Sequence, residues 1–268
     1  MVRKENNKKV QIEEQFLCCI SKKMENLKTI IQQIADSNIP VLIRGEAGTE
    51  KEGAARAIHE ASPRRNWPFI KLPDFALPDK LLEYELFGYE KGAFTGAKRR
   101  LGKLELVNHG TIFLNEIDDM PPFIQAKLLH VLQNGKFKRI GREDEIKVDV
   151  RVIAASDKDL DKAVRDGTFR EGLFYSLNVA TINIPPLRER KEDIPLLVMH
   201  FIDKCSRQYN KNRKGFSAET MQRLMAYNWP GNVRELEGMV KRFVVLGNEK
   251  AILTRIPKAK CEALYGTT

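Results

Sequence analysis

The octapeptide Gly45-Glu46-Ala47-Gly48-Thr49-Glu50-Lys51-Glu52 narrows the folds open to this chain more than any other stretch. It follows a short apolar run, Pro40-Val41-Leu42-Ile43, and precedes residues 52–62, which read as a helix. An apolar run without polar alternation reads as a buried parallel strand. A strand, a glycine-bearing turn and a helix N-terminus together make a phosphate-binding loop. Backbone N–H groups cradle phosphate oxygens there, and a lysine neutralises them.

The rest of the first 190 residues repeats that alternation. Met24, Leu27, Ile30, Ile31 and Ile34 recur at helical spacing. Residues 69–72, 111–114, 148–155 and 179–184 read as short strands. Residues 78–87 and 121–133 read as helices, the second with proline in its first turn. Strands alternating with helices predict a parallel sheet covered on both faces. After Pro185-Pro186 the pattern changes. Residues 194–209, 218–227 and 233–246 are helical with no strand between them, which predicts a small all-helical subdomain. The expected organisation is a polar arm over 1–15, an α/β nucleotide-binding subdomain over 16–190 and a helical subdomain over 191–268.

Composition excludes several classes. Hydrophobic residues at 42% and charged residues at 31% fit a soluble chain with a true core. No apolar run approaches the ~20 residues that span a bilayer, so no membrane partner is expected. Cys18, Cys19, Cys205 and Cys261 form no CxxC pair, and His59, His109, His130 and His200 are scattered. Reduced thiols, a cytoplasmic location and no metal site are the expectation. The net charge of +10 permits nucleic-acid contact but is weak evidence, because lysine and arginine also line nucleotide sites.

A second motif, Gly92-Ala93-Phe94-Thr95-Gly96-Ala97, follows Glu85-Leu86-Phe87-Gly88-Tyr89-Glu90-Lys91. Two glycines and two alanines leave little to pack, so the loop is expected to be exposed and mobile. Phe94 at its tip is expected to expose apolar area without a local partner, as a surface for gripping another protein. The alternative is a turn whose Phe94 folds back into the core. ELFGYEKGAFTGA resembles the sigma-54 contact loop of bacterial enhancer-binding proteins, the NtrC-like branch of the AAA+ ATPases. The resemblance runs over residues 16–256. It implies an AAA+ fold with a helical lid, ring assembly, and sigma-54 RNA polymerase holoenzyme as partner. Trp229-Pro230-Gly231-Asn232 could pass for a helix-turn-helix, but WPGNVREL resembles the AAA+ lid. DNA contact is therefore expected only through a domain outside this sequence.

Set against the family pattern, the chemical positions depart. The phosphate loop holds seven of the eight positions of G-E-x-G-T-G-K-E, with Glu50 in place of the last glycine. A side chain there adds a Cβ where the backbone should approach phosphate, and sets a carboxylate beside it. Like charges ~4 Å apart at an effective dielectric of ~20 repel by roughly 4 kcal/mol, about a thousandfold in affinity. Asn115-Glu116 stands where the resemblance implies an Asp that helps hold Mg²⁺ and a Glu that prepares water. Pro73 replaces an Asn that holds that Glu, and Asp157 ends the sensor strand in place of Asn or His. Arg170 matches one of two arginines given to the neighbouring subunit, and Ser176 replaces the other. Arg234 matches the lid's sensor arginine.

The expectation is a sigma-54-interacting regulator whose AAA+ domain binds without hydrolysing ATP, assembling with itself or with an active relative. No tightly bound cofactor is expected, and ATP with Mg²⁺ at most weakly. The alternatives are a slow ATP-dependent activator, or a receptor for a cyclic dinucleotide held by Arg56, Lys204 and Arg207.

Overall fold

The computed structural model describes residues 19–72, 75, 77–212 and 215–249; the arm at 1–15, Cys18, Pro73 and Cys261 lie outside the described residues. In chain order the elements are α1 Lys22–Ala35, β1 Val41–Arg44, α2 Lys51–Glu60, β2 Phe69–Lys71, α3 Asp79–Phe87, β3 Gly88–Tyr89, β4 Arg100–Leu101, α4 Lys103–Leu106 and β5 Thr111–Leu114. They continue with α5 Pro122–Asn134, β6 Lys136–Lys138, β7 Glu145–Lys147, β8 Arg151–Ser156, α6 Leu160–Arg165, α7 Glu171–Leu177, β9 Ala180–Asn183, α8 Ile194–Tyr209, α9 Ala218–Ala226 and α10 Asn232–Leu246. Among the described residues these divide into two compact units, one within 27–46 and 51–184, the other within 19–26, 47–50 and 185–249.

The first unit is an α/β layer built on a five-stranded sheet in the order β2-β5-β8-β1-β9. Every pairing in it is parallel. All residues of β5 and β8 are buried, as in central strands of a parallel sheet covered on both faces. Alternate residues feed opposite faces. Leu42, Ile112, Leu114, Val152 and Ala154 meet Leu86, Leu104, Ile124, Leu128 and Leu173 of the helices in one core. Helix α2 packs on β1 and β5 and buries Ala54, Ala55 and Ile58. The predicted strand at 148–155 begins at Arg151 instead, because the carbonyl of Asp149 accepts from the N–H of His109 outside the ladder. The short pairs β3–β4 and β6–β7, two and three residues per strand, carry no periodic signal in the sequence.

The second unit is helical from α8 to α10, as the loss of strand patterning after residue 185 predicts. Helices α8 and α10 pack together, burying Phe201, Cys205, Val233, Leu236 and Val240. Trp229 is fully buried and donates its indole N–H to the carbonyl of Leu224 at 2.8 Å. The buried carboxylate of Asp193 accepts from the N–H groups of Ile20 and Ser21 at 2.7 and 2.8 Å and from the Ser21 hydroxyl at 2.8 Å.

One buried cation closes a helix in the first unit. Arg151, 1% exposed, donates from Nη1 to Ala35 O and from Nη2 to Ile34 O, both at 2.8 Å. It thereby satisfies carbonyls that the last turn of α1 leaves without an intrahelical donor. Burial pulls its guanidinium down to about 10, and Arg64 adds to the shift. Arg151→Leu removes the guanidinium donor from Ala35 O, while Ile34 O keeps the Ser37 hydroxyl at 2.7 Å. The substitution is expected to lower the unfolding free energy by about 2 kcal/mol, read as a lower urea midpoint at unchanged slope.

Candidate functional site

The phosphate loop starts where β1 ends. In the first unit, Gly45 N donates to Ser156 O at 3.2 Å. Lys51, buried at the first turn of α2, donates from Nζ to Gly45 O at 2.7 Å and Glu46 O at 3.2 Å. Its ammonium is folded onto the loop's own carbonyls, at the helix N-terminus where an anion would be held. The Glu52 carboxylate takes Arg56 at 2.9 Å and Lys71 at 3.0 Å. Burial works to raise it, but the hydrogen bonds and charges of Lys71 and Arg56 outweigh burial and hold it below the usual range.

The middle of the loop belongs to the second unit. Three successive carbonyls accept bonds there. Ala47 O takes Asn232 Nδ2 at 3.0 Å, Gly48 O takes Val233 N and Arg234 N at 3.0 and 3.3 Å, and Thr49 O takes Arg190 Nη2 at 3.5 Å. Asn232 is buried at φ 51°, and its Oδ1 also accepts from Leu187 N at 2.8 Å. Gly48 has φ 77°, and a Cβ on it would stand 2.4 Å from Gly231 O. Sequence reasoning missed Asn232 and Arg190; a lone asparagine after glycine, and an arginine in an Arg-Glu-Arg run, carry no tertiary signal.

Glu50 sits at φ 73°, in the left-handed region that favours glycine. Its carboxyl is half-buried and pushed up, first by burial and then by the charge of Glu237. Lys204, Arg234 and Arg190 pull the other way without prevailing. The full repulsion expected from the sequence assumed an ordinary carboxylate; this environment makes the group harder to ionise than a free one.

At the end of β5, Asn115 and Glu116 are half-buried, and Glu116 has φ 53°. Asp118, which sequence reasoning passed over, has a carboxylate already engaged. Its Oδ1 accepts from Ser156 Oγ at 2.6 Å, and Lys158 Nζ lies 3.0 Å from Oδ2. Asp157 is exposed, one residue past β8. A neutral amide oxygen is a weaker ligand for a hard divalent cation than a carboxylate. Among the described residues no group of three or more His, Cys, Asp or Glu gathers as metal ligands.

Arg170 is exposed and donates from Nε to Pro122 O at 3.1 Å. Ser176 spends its hydroxyl on Gly172 O at 2.8 Å, inside its own helix. Arg234 is exposed on the first turn of α10. Of the cations considered for a cyclic dinucleotide, Arg56 pairs with Glu52, Lys204 with Glu237 at 2.7 Å, and Arg207 with Asp203.

The Gly92–Ala97 loop stands on the β3–β4 ribbon. Gly92, Phe94, Thr95 and Gly96 are exposed, Ala93 is half-buried and Ala97 is buried. Phe94 is 40% exposed but not without partners, contrary to the sequence expectation. Its ring centroid lies 5.1 Å from Tyr84, interplanar angle 19°, and 5.1 Å from Tyr89 at 57°. Both tyrosines precede the motif by a few residues, and nothing in alternation or helical spacing marks them as partners of Phe94. Below the loop, buried Arg139 bonds both oxygens of Glu105 and also binds Glu90. Glu90 N donates to Ile140 O at 3.0 Å.

Sequence and structure comparisons agree on what the chain is similar to. Residues 17–183 match the Sigma-54 interaction domain, and residues 188–259 match the AAA+ ATPase lid domain. The Nif-specific regulatory protein of Herbaspirillum seropedicae is 52% identical over 224 residues, 83% of this chain and 41% of that protein. The DNA-binding transcriptional regulator NtrC of Azospirillum brasilense is 47% identical over 230 residues, 85% of this chain and 48% of that protein. Among solved structures, NtrX from Brucella abortus in complex with ATP superposes with a TM-score of 0.80 at 36% identity, covering 85% of this chain and 50% of that one. The chain thus spans less than half the length of the two curated relatives. Among the described residues no helix is long and apolar enough to cross a membrane.

The Glu50 backbone yields a stability prediction. A left-handed non-glycine residue costs about 1–2 kcal/mol, so Glu50→Gly should raise the thermal midpoint by roughly 3 °C for a chain of this size. The titration carries its own sign. A carboxyl raised on folding binds its proton more tightly in the folded chain. Its contribution is present below the unfolded value and lost as pH rises through the raised folded value. Glu50→Gln should keep the backbone strain and abolish that decline, measured as unfolding midpoints from pH 4 to pH 8.

Proposed function

The chain belongs to the sigma-54 interaction domain family of AAA+ proteins, and from that membership we propose that it is a sigma-54 regulator whose AAA+ domain binds and does not turn over ATP. The observation that carries this reading is Glu50: a side chain occupies a loop position whose backbone, at φ 73°, calls for glycine. The amide of Asn115 and the hydroxyl of Ser176 support it. Each removes a charge that phosphoryl transfer uses for positioning and electrostatic stabilisation. Glu116, Arg170, Arg234 and Lys51 remain as elements of a nucleotide site. They favour residual nucleotide affinity over efficient chemistry.

In this reading the chain's output is contact. The Phe94 loop reaches sigma-54 RNA polymerase. Assembly occurs through copies of the chain or through an active relative whose site supplies the hydrolysis. A second reading, a slow ATP-dependent activator, draws on those same four residues. The cyclic-dinucleotide reading requires Arg56, Lys204 and Arg207 to exchange their carboxylate partners for phosphate, which calorimetry with the dinucleotide tests directly.

Phosphate release with Mg²⁺ at high protein concentration separates binding from turnover. No release above background and ATP affinity no tighter than about 1 mM are expected. Turnover near ~1 s⁻¹ would establish the activator instead. Because the departures act on one transition state, their effects are not additive. Glu50→Gly alone should improve ATP binding with little release, whereas Glu50→Gly, Asn115→Asp and Ser176→Arg together should restore measurable release.

A further inference from the structure

The tip of the Phe94 loop has little of its own to hold it. Gly92 and Gly96 have φ 88° and 81°, and an added Cβ on either would meet nothing within 4 Å. Backbone bonds close the turn loosely: Ala97 N to Phe94 O at 3.0 Å, Ala93 N to Glu90 O at 3.2 Å and Gly92 N to Ala97 O at 3.4 Å. Phe94 is the only large side chain among the six loop residues, so its ring decides where the tip points.

That ring rests on two others. Tyr84 lies nearly parallel to it, and Tyr89 meets it at an angle. The two tyrosines also touch each other, 5.3 Å apart at 62°. Both are anchored. Tyr84 stands on α3, whose Leu82, Leu86 and Phe87 are buried in the core. Arg100 binds Glu85 beside it at 2.6 Å. Tyr89 lies in β3, paired with Arg100 of β4 and bridged to Ile140. The offset and edge geometries are those in which aromatic pairs attract beyond their buried area.

Resting on the contact reading above, we propose that Tyr84 and Tyr89 are positioning residues, an aromatic seat that holds Phe94 oriented for insertion into sigma-54. A ring stored away from its partner would be buried. Phe94 instead keeps 40% of its surface open while stacked. An anchor ordered before binding avoids much of the ordering cost at the moment of contact, and aromatic anchors dominate many interfaces. The seat is chemically undemanding. It needs two ring faces and no hydroxyl, so phenylalanine should replace either tyrosine.

The test compares wild type, Phe94→Ala, Tyr84→Ala with Tyr89→Ala, and Tyr84→Phe with Tyr89→Phe. The readouts are the affinity for purified sigma-54, amide exchange at 92–97 and the unfolding midpoint. The alanine pair should bind roughly tenfold more weakly and exchange faster over 92–97. The phenylalanine pair should match wild type in both. Phe94→Ala probes the contact reading alone. If wild type does not bind, or Phe94→Ala binds as wild type does, that reading fails and the seat falls with it. If Phe94→Ala weakens binding while the alanine pair binds as well as wild type or better, the seat is overturned and the contact reading stands. Unchanged exchange at 92–97 in the alanine pair overturns the seat without reference to the partner.

Discussion

Ser156, the last residue of β8, is the point from which the nucleotide face of the first unit hangs. Parallel pairing sets Ser156 beside Arg44 of β1, and Leu114 of β5 beside Ala154. Three strands therefore end together, at the edge where open α/β sheets take their ligands. Ser156 O receives the N–H of Gly45, and Ser156 Oγ donates to Asp118. The entry to the phosphate loop and the turn after β5 are thus registered to one buried residue. Losing the Ser156 hydroxyl would leave Asp118 with Lys158 alone, whereas the Gly45 bond is made by backbone and does not depend on a side chain.

The parts of the fold legible in the sequence are those with a local cause. β1 and β5 announce themselves as short, mostly apolar runs, and α8 and α10 as periodic helices. The glycine-bearing loop after β1 follows from what phosphate binding asks of a backbone. Residues whose roles depend on distant partners were not legible. Asp118 reads as one of two adjacent acids until β8 brings Ser156 and Lys158 to it. Arg139 reads as a surface base in a Lys-Phe-Lys-Arg run, yet Glu105 and Glu90 hold it in a buried pair. Phe94 reads as an unpartnered tip because aromatic stacking has no sequence period. Its partners lie ten and five residues upstream, on a helix and a strand that the core orients.

Glu50 shows how local strain and burial interact at such a site. Left-handed backbone at a non-glycine residue persists only when its surroundings over-determine it. Here the neighbouring carbonyls of Ala47, Gly48 and Thr49 are each held by a donor, so the backbone at residue 50 has little room to relax. The side chain must take whatever direction that backbone leaves. It meets Lys204, Arg234 and Arg190, which attract it, and burial with Glu237, which opposes its charge more strongly. The loop's shape is therefore dictated by the donors around it, and the glutamate is accommodated rather than accommodating.

That separation of shape from charge means that the fold does not depend on the residues at the chemical positions. The sheet, the helical unit and the base of the Phe94 loop rest on apolar burial, backbone pairing and the Arg139 pairs. None of these involves Glu50, Asn115 or Ser176. Phosphoryl transfer instead depends on a few charges placed within ångströms of one another. A loop that grips a protein makes the opposite demand: a rigid base, an exposed ring and no reacting atoms. The base of the Phe94 loop is therefore built independently of the residues at positions 50, 115 and 176.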